Sequence, residues 1–295
     1  SIVDEKTVME HEEDGDMGNK WLNANSAGSG PFELQTYRAG ELVRYKSNAD
    51  YFKGAPKVEG VIIRHVASDS APSTHSRAAP SRVHIQVLDD VKCELRFWRY
   101  TFPEGAATGG KWKLERTHRG AGVEQLGARA SDANSGDEIW ITSTSYTSPT
   151  TYARAEASAP QKAEVLKALP SFFDASGLHV QQFFATSTDG TKVPYFLVSK
   201  KAMKLDGSTP TLLYGYGGFE ISLTPQYIAT VGVGWLEQGG AYVQANIRGG
   251  GEYGPQWHQA ALREKRHKAY EDFEAVAQDL VARGVTTPKQ LGAIG

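Results

Sequence analysis

Residues 209–219 of the chain read TPTLLYGYGGF, and residues 241–254 read AYVQANIRGGGEYG. Each segment opens with a mostly apolar run, Thr209 to Tyr216 and Ala241 to Ile247, which is typical of a strand covered on both faces. Each run leads into a turn rich in glycine, the residue that permits tight reversals and close approach of backbones. The two segments therefore predict two buried strands of an α/β sheet, each followed by a glycine-rich loop.

The sequence around these segments continues the α/β pattern. Val180 to Thr188 and Lys192 to Ser199 predict two strands joined by a hairpin turn at Asp189-Gly190. Ala269 to Arg283 carries apolar residues at helical spacing on one face. Leu291 to Gly295 has the character of another buried strand. Strands that alternate with helices indicate a three-layer α/β sheet.

The part of the chain before residue 168 has a different character. It consists of short extended runs separated by polar or glycine-rich turns, with little helical periodicity. Five runs predict strands: Val58 to Val66, Arg82 to Leu88, Glu94 to Thr101, Lys111 to Arg116 and Glu138 to Ser143. The Ser, Ala, Pro and Thr content of Ser68 to Ser81 predicts an exposed loop or an insertion. We expect an all-β domain over residues 1–168 and an α/β domain over residues 169–295; strand spacing leaves a sandwich, a barrel and propeller blades open.

Composition excludes several classes of protein. Lys and Arg number 32 against 34 Asp and Glu, and this balance argues against nucleic acid or a membrane surface as a partner. The single cysteine, Cys93, excludes an internal disulfide and fits a reducing compartment, so we expect a cytoplasmic protein. His11 lies in an acidic run that we interpret as a solvated terminus, and His75, His84 and His118 show no ligand spacing. We expect neither a metal nor a cofactor.

The two glycine-rich segments hold the candidate site residues. In an α/β-hydrolase, the loop after an early strand is where an oxyanion hole is built, and the Tyr216 hydroxyl is a suitable donor. A structural turn is the competing interpretation. Arg248 and Glu252 both lie within the second turn. A charged pair there would order the loop; the alternative is that Arg248 meets a substrate carbonyl or carboxylate.

These residues resemble the paired glycine-rich loops of the prolyl oligopeptidase family. The resemblance rests on Pro210 to Phe219 and Asn246 to Gly254, with Trp257 and His258 just beyond, and it extends from about Phe172 to Gly295. It implies the first part of an α/β-hydrolase domain preceded by the last blades of a β-propeller. A partial propeller is therefore expected over residues 1–168.

Residue roles follow from the resemblance only where residues match. It implies that the Tyr216 hydroxyl completes the oxyanion hole and that Phe219 is an aromatic wall of the pocket that accepts proline. The sequence has no Gly-x-Ser-x-Gly turn, and the serine, acid and histidine of the triad are not among its residues. His258 is expected to pack beside Trp257 rather than to act in catalysis.

The resemblance implies a serine-type peptidase that cleaves short peptides after proline through an acyl-enzyme. The chain as given is expected to be inactive and truncated before the serine, with a missing C-terminal segment or a completing polypeptide as a partner. Two alternatives stay open: a non-catalytic binding or regulatory fragment, and a relative that cleaves after basic residues. Phe219 favours the prolyl branch, whereas Glu220 leaves the subfamily open.

Overall fold

The computed structural model describes residues 3–38, 41–64, 75–79, 82–101, 111–132 and 136–295. The strands are β1 Phe32–Arg38, β2 Leu42–Ser47, β3 Gly60–Arg64, β4 His75–Ala79, β5 Arg82–Asp89, β6 Lys92–Thr101, β7 Lys111–Arg119, β8 Glu124–Ala130, β9 Glu138–Ser145, β10 Thr151–Glu156, β11 Glu164–Ala168, β12 Leu178–Thr186, β13 Lys192–Lys200, β14 Thr211–Gly215, β15 Ala241–Ala245 and β16 Leu291–Ile294. The α-helices are α1 Glu5–Met9, α2 Asn19–Leu22, α3 Ala229–Val231, α4 Pro255–Gln259 and α5 His267–Ala282. Short 3₁₀ turns lie at Pro160–Lys162 and Arg263–Lys265, and a π-helical turn at Gly232–Leu236.

The chain divides into two compact units, of which the first is Ser1–Val66. This unit holds α1, α2 and an antiparallel sheet in the order β1-β2-β3. The strand predicted over Val58 to Val66 is confirmed for β3, and residues 65–66 lie outside the described ranges. The expectation of an all-β start is wrong at α1 and α2. α1 begins at the N-cap residue Asp4, whose carboxylate accepts the Thr7 amide at 2.8 Å. The strand pattern does not mark this cap.

The second unit, Ala67–Gly295, contains three sheets. Two are four-stranded and antiparallel, in the orders β4-β5-β6-β7 and β11-β10-β9-β8. Apolar residues of both form one core: Leu88, Cys93, Leu95, Phe97, Leu126, Ile139, Ile141, Ala153, Ala155 and Ala157. Arg82 on β5 pairs with Glu115 on β7 and with Asp137 just before β9, so a buried guanidinium joins the two sheets. Among the described residues these strands form separate sheets and no closed ring.

One prediction about this region is wrong in part. The loop expected over Ser68 to Ser81 contains β4, which pairs antiparallel with β5. The composition of this stretch disfavours a strand, but the backbone hydrogen bonds of the neighbouring strand supply the pairing. Residues 68–74 and 80–81 of that prediction lie outside the described residues. The strands predicted at β5, β6, β7 and β9 are confirmed, with ends shifted by three residues or fewer.

The third sheet is mixed and has the order β12-β13-β15-β14-β16. β12, β13 and β15 are antiparallel neighbours, whereas β14 is parallel to both β15 and β16. Side chains of β13 alternate between two cores: Tyr195 and Leu197 face the side covered by α5, and Phe196 and Val198 face the other. All five predicted strands and the predicted helix of this part are confirmed. The expectation that Leu291 to Gly295 forms a buried strand is wrong about burial, because β16 lies at the edge of the sheet and is mostly exposed.

The β5–β6 turn connects the antiparallel sheets to the mixed sheet. Val91 in this turn is fully buried and belongs to the same core as Phe196 and Tyr242. The Asp90 carbonyl accepts Gln182 Nε2 at 2.6 Å, and its carboxylate accepts the Tyr253 hydroxyl at 3.1 Å. Asp90 and Val91 both have positive φ, 46° and 63°. Such a conformation is unfavourable for a β-branched residue, so the contacts made by this turn must hold it in place.

Candidate active site

The two glycine-rich loops emerge side by side from one edge of the mixed sheet. β14 and β15 are parallel and in register, with Gly215 opposite Ala245 at their carboxyl ends. The loop that begins at Tyr216 therefore lies next to the loop that begins at Asn246. Carboxyl ends of parallel strands are where open α/β sheets place their ligand sites.

The first loop is held in an unusual backbone conformation. Gly217 has φ 60°, and a Cβ atom at this position would lie 2.7 Å from the Arg248 carbonyl oxygen. Phe219 and Glu220 follow with φ 53° and 57°. The Phe219 side chain is 82% exposed and the Tyr216 side chain is 38% exposed. The loop thus presents two aromatic rings to the outside of the core.

Hydrogen bonds from the second loop and from the segment before α5 fix the first loop. The Glu220 amide donates to the Gly249 carbonyl at 3.2 Å, and Arg266 donates to the carbonyls of Gly217 and Tyr216. His258 Nδ1 lies 2.6 Å from the same Gly249 carbonyl. The Glu220 amide lies 3.1 Å from the same Nδ1, so the imidazole contacts the backbone of both loops. His258 is therefore engaged in holding the backbone of the second loop.

Arg248 is the buried centre of the second loop. Its guanidinium donates to both carboxylate oxygens of Asp272 on α5, with Nη2 to Oδ1 at 2.6 Å and Nε to Oδ2 at 2.9 Å. Nη1 donates to Asp189 in the β12–β13 turn at 2.5 Å. Burial works to lower the pKa of Arg248, and these two carboxylates outweigh it and raise the pKa. The Arg248 guanidinium in turn holds the pKa of Asp189 well below its usual range.

Glu252 occupies a different environment in the same loop. It is 2% exposed, and its Oε1 accepts the Leu223 amide at 2.9 Å and Asn246 Nδ2 at 3.1 Å. Oε2 and the Asn246 Oδ1 are buried without a hydrogen-bond partner among the residues that the structure describes. Burial raises the pKa of Glu252 to about 7, although the donors from Leu223 and Asn246 act to lower it.

The structure brings some of the predicted site residues together and separates others. Tyr216 lines a mainly apolar cavity of about 470 Å³ whose walls include Tyr270 and Phe273, and Phe219 lies outside that cavity. Arg248 and Glu252 do not form the charged pair that we considered: Arg248 pairs with carboxylates on other elements, and Glu252 pairs with neutral groups. Both nevertheless contact the loops, and a role in ordering them stays our prediction.

Sequence reasoning missed several residues that position these loops. Asp272 is fully buried against Arg248, and Arg266 bonds the carbonyls of the first loop. Asp272 is an acidic residue on a helix face otherwise filled by apolar side chains, which was an available signal of a buried ion pair. No comparable signal marked Arg266, which lies in a basic run that we would assign to a solvated face.

Two features are absent from the part of the chain that the structure describes. No group of three or more His, Cys, Asp or Glu side chains that could hold a metal ion occurs in those ranges. Within the same ranges, every helix is too short or too polar to cross a membrane.

Comparison with known proteins gives a consistent result. The model of the family described as "Prolyl oligopeptidase family" matches residues 226–295. A second model, described as "Bacterial extracellular solute-binding proteins, family 5 Middle", matches residues 3–78. An uncharacterized peptidase, y4nA, from Sinorhizobium fredii is 44% identical over 229 residues, which are 76% of this chain and 30% of the relative. A prolyl endopeptidase from Elizabethkingia miricola is 38% identical over 158 residues, which are 54% of this chain and 22% of the relative.

Solved structures show the same likeness. A post-proline cleaving enzyme from Rickettsia typhi aligns with a TM-score of 0.64 at 30% identity over 88% of this chain and 36% of the enzyme. A structure from a study of two prolyl endopeptidases aligns with a TM-score of 0.69 at 28% identity, covering 89% of this chain and 38% of that one. The chain thus spans about a third of the length of these proteins. These similarities show that the chain belongs to the prolyl oligopeptidase family.

Proposed function

We propose that this chain carries the oxyanion and proline-binding loops of a serine-type peptidase that cleaves short peptides after proline. The observation that carries the proposal is the position of Tyr216 and Phe219. They lie on one loop at the carboxyl end of β14, and hydrogen bonds from the neighbouring loop and from Arg266 fix that loop. A Tyr216 hydroxyl held on a fixed loop would be a preorganised hydrogen-bond donor. An acyl-transfer site needs such a donor, because it stabilises the developing oxyanion without reorganising.

In the proposed mechanism a serine attacks the carbonyl carbon of the proline residue, the peptide C–N bond breaks as the histidine gives the proton taken from the serine to the leaving amine, and water then hydrolyses the acyl-enzyme. The histidine acts as general base toward the serine, and an acid orients the histidine. The Tyr216 hydroxyl and a backbone amide donate to the oxyanion of each tetrahedral intermediate. Phe219 packs against the proline ring. The serine, the acid and the histidine are not among the residues of this sequence, so we propose that the chain alone is inactive and that a further C-terminal segment or a completing polypeptide supplies them.

The architecture proposed with this function is a partial β-propeller over residues 1–168 and the first part of an α/β-hydrolase domain over residues 169–295. The two four-stranded antiparallel sheets support the proposal of propeller blades, and the mixed sheet with α5 supports the proposal of a hydrolase core. The related Elizabethkingia enzyme is called a prolyl endopeptidase, which supports proline-containing peptides as substrates. We also propose a cytoplasmic location, which the single cysteine supports.

The test measures release of a fluorophore from a Gly-Pro amide by the printed chain and by a version continued with the C-terminal segment of a prolyl endopeptidase. We expect activity only in the continued version. In that version Tyr216→Phe should lower kcat by about 10²-fold to 10³-fold, as expected for loss of one oxyanion donor. Tyr270→Phe, a change at another tyrosine of the same cavity, is the control and should alter kcat by less than about threefold. Equal effects of the two substitutions would contradict the role of Tyr216.

A further inference from the structure

A second cavity, which Glu220 and Gly251 help to line, has a volume of about 440 Å³. Its walls come from β5, from β8 and from the two glycine-rich loops and the segment that follows the first of them. They include the uncharged polar side chains of Gln86, Gln125, Ser222 and Thr224. Glu220 is the only residue among those lining this cavity that carries a formal charge. The cavity is therefore anionic.

The backbone that places Glu220 in this cavity is strained. Phe219 and Glu220 are consecutive non-glycine residues with left-handed φ, a conformation that costs free energy at each of them. Hydrogen bonds and close packing of the backbone hold it. The Ile221 amide donates to the Gly218 carbonyl at 3.0 Å, the Glu220 amide donates to Gly249, and a Cβ at Gly251 would collide with the Glu220 carbonyl. A fold that maintains this strain presents the two side chains together, and such strain clusters at functional sites.

Nearby cations do not neutralise Glu220. Arg248 is buried and engaged with Asp272 and Asp189, and Arg266 is directed to the carbonyls of the first loop. Neither arginine lines this cavity. Glu220 is exposed, so a positive charge on a ligand in the cavity would be attracted to its carboxylate with the modest strength of a solvent-screened ion pair.

We propose that Glu220 forms an anionic subsite that selects peptides with a lysine or arginine side chain adjacent to the residue held against Phe219. This inference rests on the proposed function, because it takes Phe219 as a wall for the peptide. It assigns substrate preference to a residue that follows the aromatic wall directly in sequence. The left-handed backbone sets how the two side chains diverge: the exposed Phe219 ring supplies apolar contact, and the Glu220 carboxylate supplies charge.

The experiment measures the dissociation constants of two peptides for the printed chain by isothermal titration. One peptide is acetyl-Gly-Lys-Ala-Pro-Lys-Gly-amide, and the other has both lysines Nε-acetylated, which removes the charge and keeps the length. The charged peptide should bind about fivefold more tightly, as expected for one partly exposed ion pair. Raising the salt concentration from about 50 mM to about 500 mM should reduce this preference, because salt screens exposed charges.

Two variants identify the residue responsible. Glu220→Gln should bring the two dissociation constants within about twofold of each other, because no ion pair remains. Glu264→Gln changes the net charge by the same amount away from this cavity and should keep the preference. A preference that Glu220→Gln leaves unchanged, or one that Glu264→Gln removes equally, would overturn the assignment. Equal binding of both peptides to the unmodified chain would also overturn it while leaving the peptide site in place. Binding of neither peptide would refute the proposed peptide site itself.

Discussion

The buried carboxyl of Glu252 should make the stability of this chain fall as the pH rises, and one substitution should remove this contribution. Glu252 is 2% exposed, and burial raises its pKa to about 7. An unfolded chain exposes the same group to water, where its pKa is about 4.3. The folded state therefore binds the proton more tightly than the unfolded state. The stabilisation is fully present below the unfolded pKa and is lost as the pH rises to the folded pKa.

The magnitude follows from the size of the pKa difference. Each pKa unit corresponds to about 1.4 kcal/mol, so the free energy of unfolding should fall by about 3 kcal/mol between pH 4.5 and pH 7.5. The protonated acid also explains the two buried atoms without a partner. With a proton on Oε2, Glu252 and Asn246 can form two hydrogen bonds, from Nδ2 to Oε1 and from Oε2 to Oδ1, as an acid and an amide do when they face each other.

Glu252→Gln tests this reasoning because an amide reproduces the neutral acid: its oxygen accepts and its nitrogen donates. The free energy of unfolding in urea should be similar for both chains at pH 5, whereas at pH 8 the variant should be more stable by about 3 kcal/mol. Other groups titrate in this window. Burial lowers the pKa of His118, for example, which acts in the opposite direction. Their contributions cancel when the two chains are compared at each pH.

A matched control is Glu264→Gln, which replaces an exposed carboxyl and should leave the pH dependence of the unmodified chain intact. Glu252→Ala should be destabilising at both pH values, because it leaves the Leu223 amide and Asn246 without their acceptor. A constant difference between the unmodified chain and Glu252→Gln from pH 5 to pH 8 would refute the reasoning. It would mean that Glu252 is ionised in the folded state over the whole range.

Three further predictions concern the contacts that hold the loops and the sheets. Arg248→Lys should lower the free energy of unfolding by about 3 kcal/mol, because an ammonium cannot replace the bidentate contact with the fully buried Asp272. Urea titration measures this free energy, and a loss below about 1 kcal/mol would contradict the prediction. Val91→Ala should cost about 2 kcal/mol in the same assay by removing buried methyl groups, and an unchanged midpoint would argue against a buried turn. Tyr253→Phe removes one hydrogen bond to Asp90 and should lower the free energy of unfolding by about 1 kcal/mol. Amide hydrogen exchange at the β5–β6 turn should become faster, and unchanged protection there would count against the contact.

Much of the secondary structure was predictable because it depends on local periodicity. Thr209 to Tyr216 and Ala241 to Ile247 are mostly apolar, and both form strands of the mixed sheet. Ala269 to Arg283 repeats its apolar residues at helical spacing, and α5 covers this stretch. Where composition and pairing disagree, the prediction was wrong, as at β4, whose neighbour β5 supplies the hydrogen bonds. The short helix α1 begins at a cap that no apolar pattern marks.

Some features of the candidate site were also predictable from local sequence patterns, and others were not. Local sequence patterns predict that two glycine-rich loops follow two buried strands and that Tyr216, Phe219, Arg248 and Glu252 lie on them. They do so because strand periodicity and the conformational freedom of glycine act over a few neighbouring residues.

Only the tertiary structure decided what these side chains contact. Arg248 finds Asp272 at a separation of 24 residues and Asp189 at a separation of 59 residues, whereas Glu252, four positions further on, is surrounded by neutral groups. Arg248 is thereby paired with carboxylates, whereas Glu252 has no cationic partner among these contacts and its protonated form is favoured. The difference arises because burial and charge pairing depend on which distant segments the fold brings together, and local sequence patterns carry no information about that.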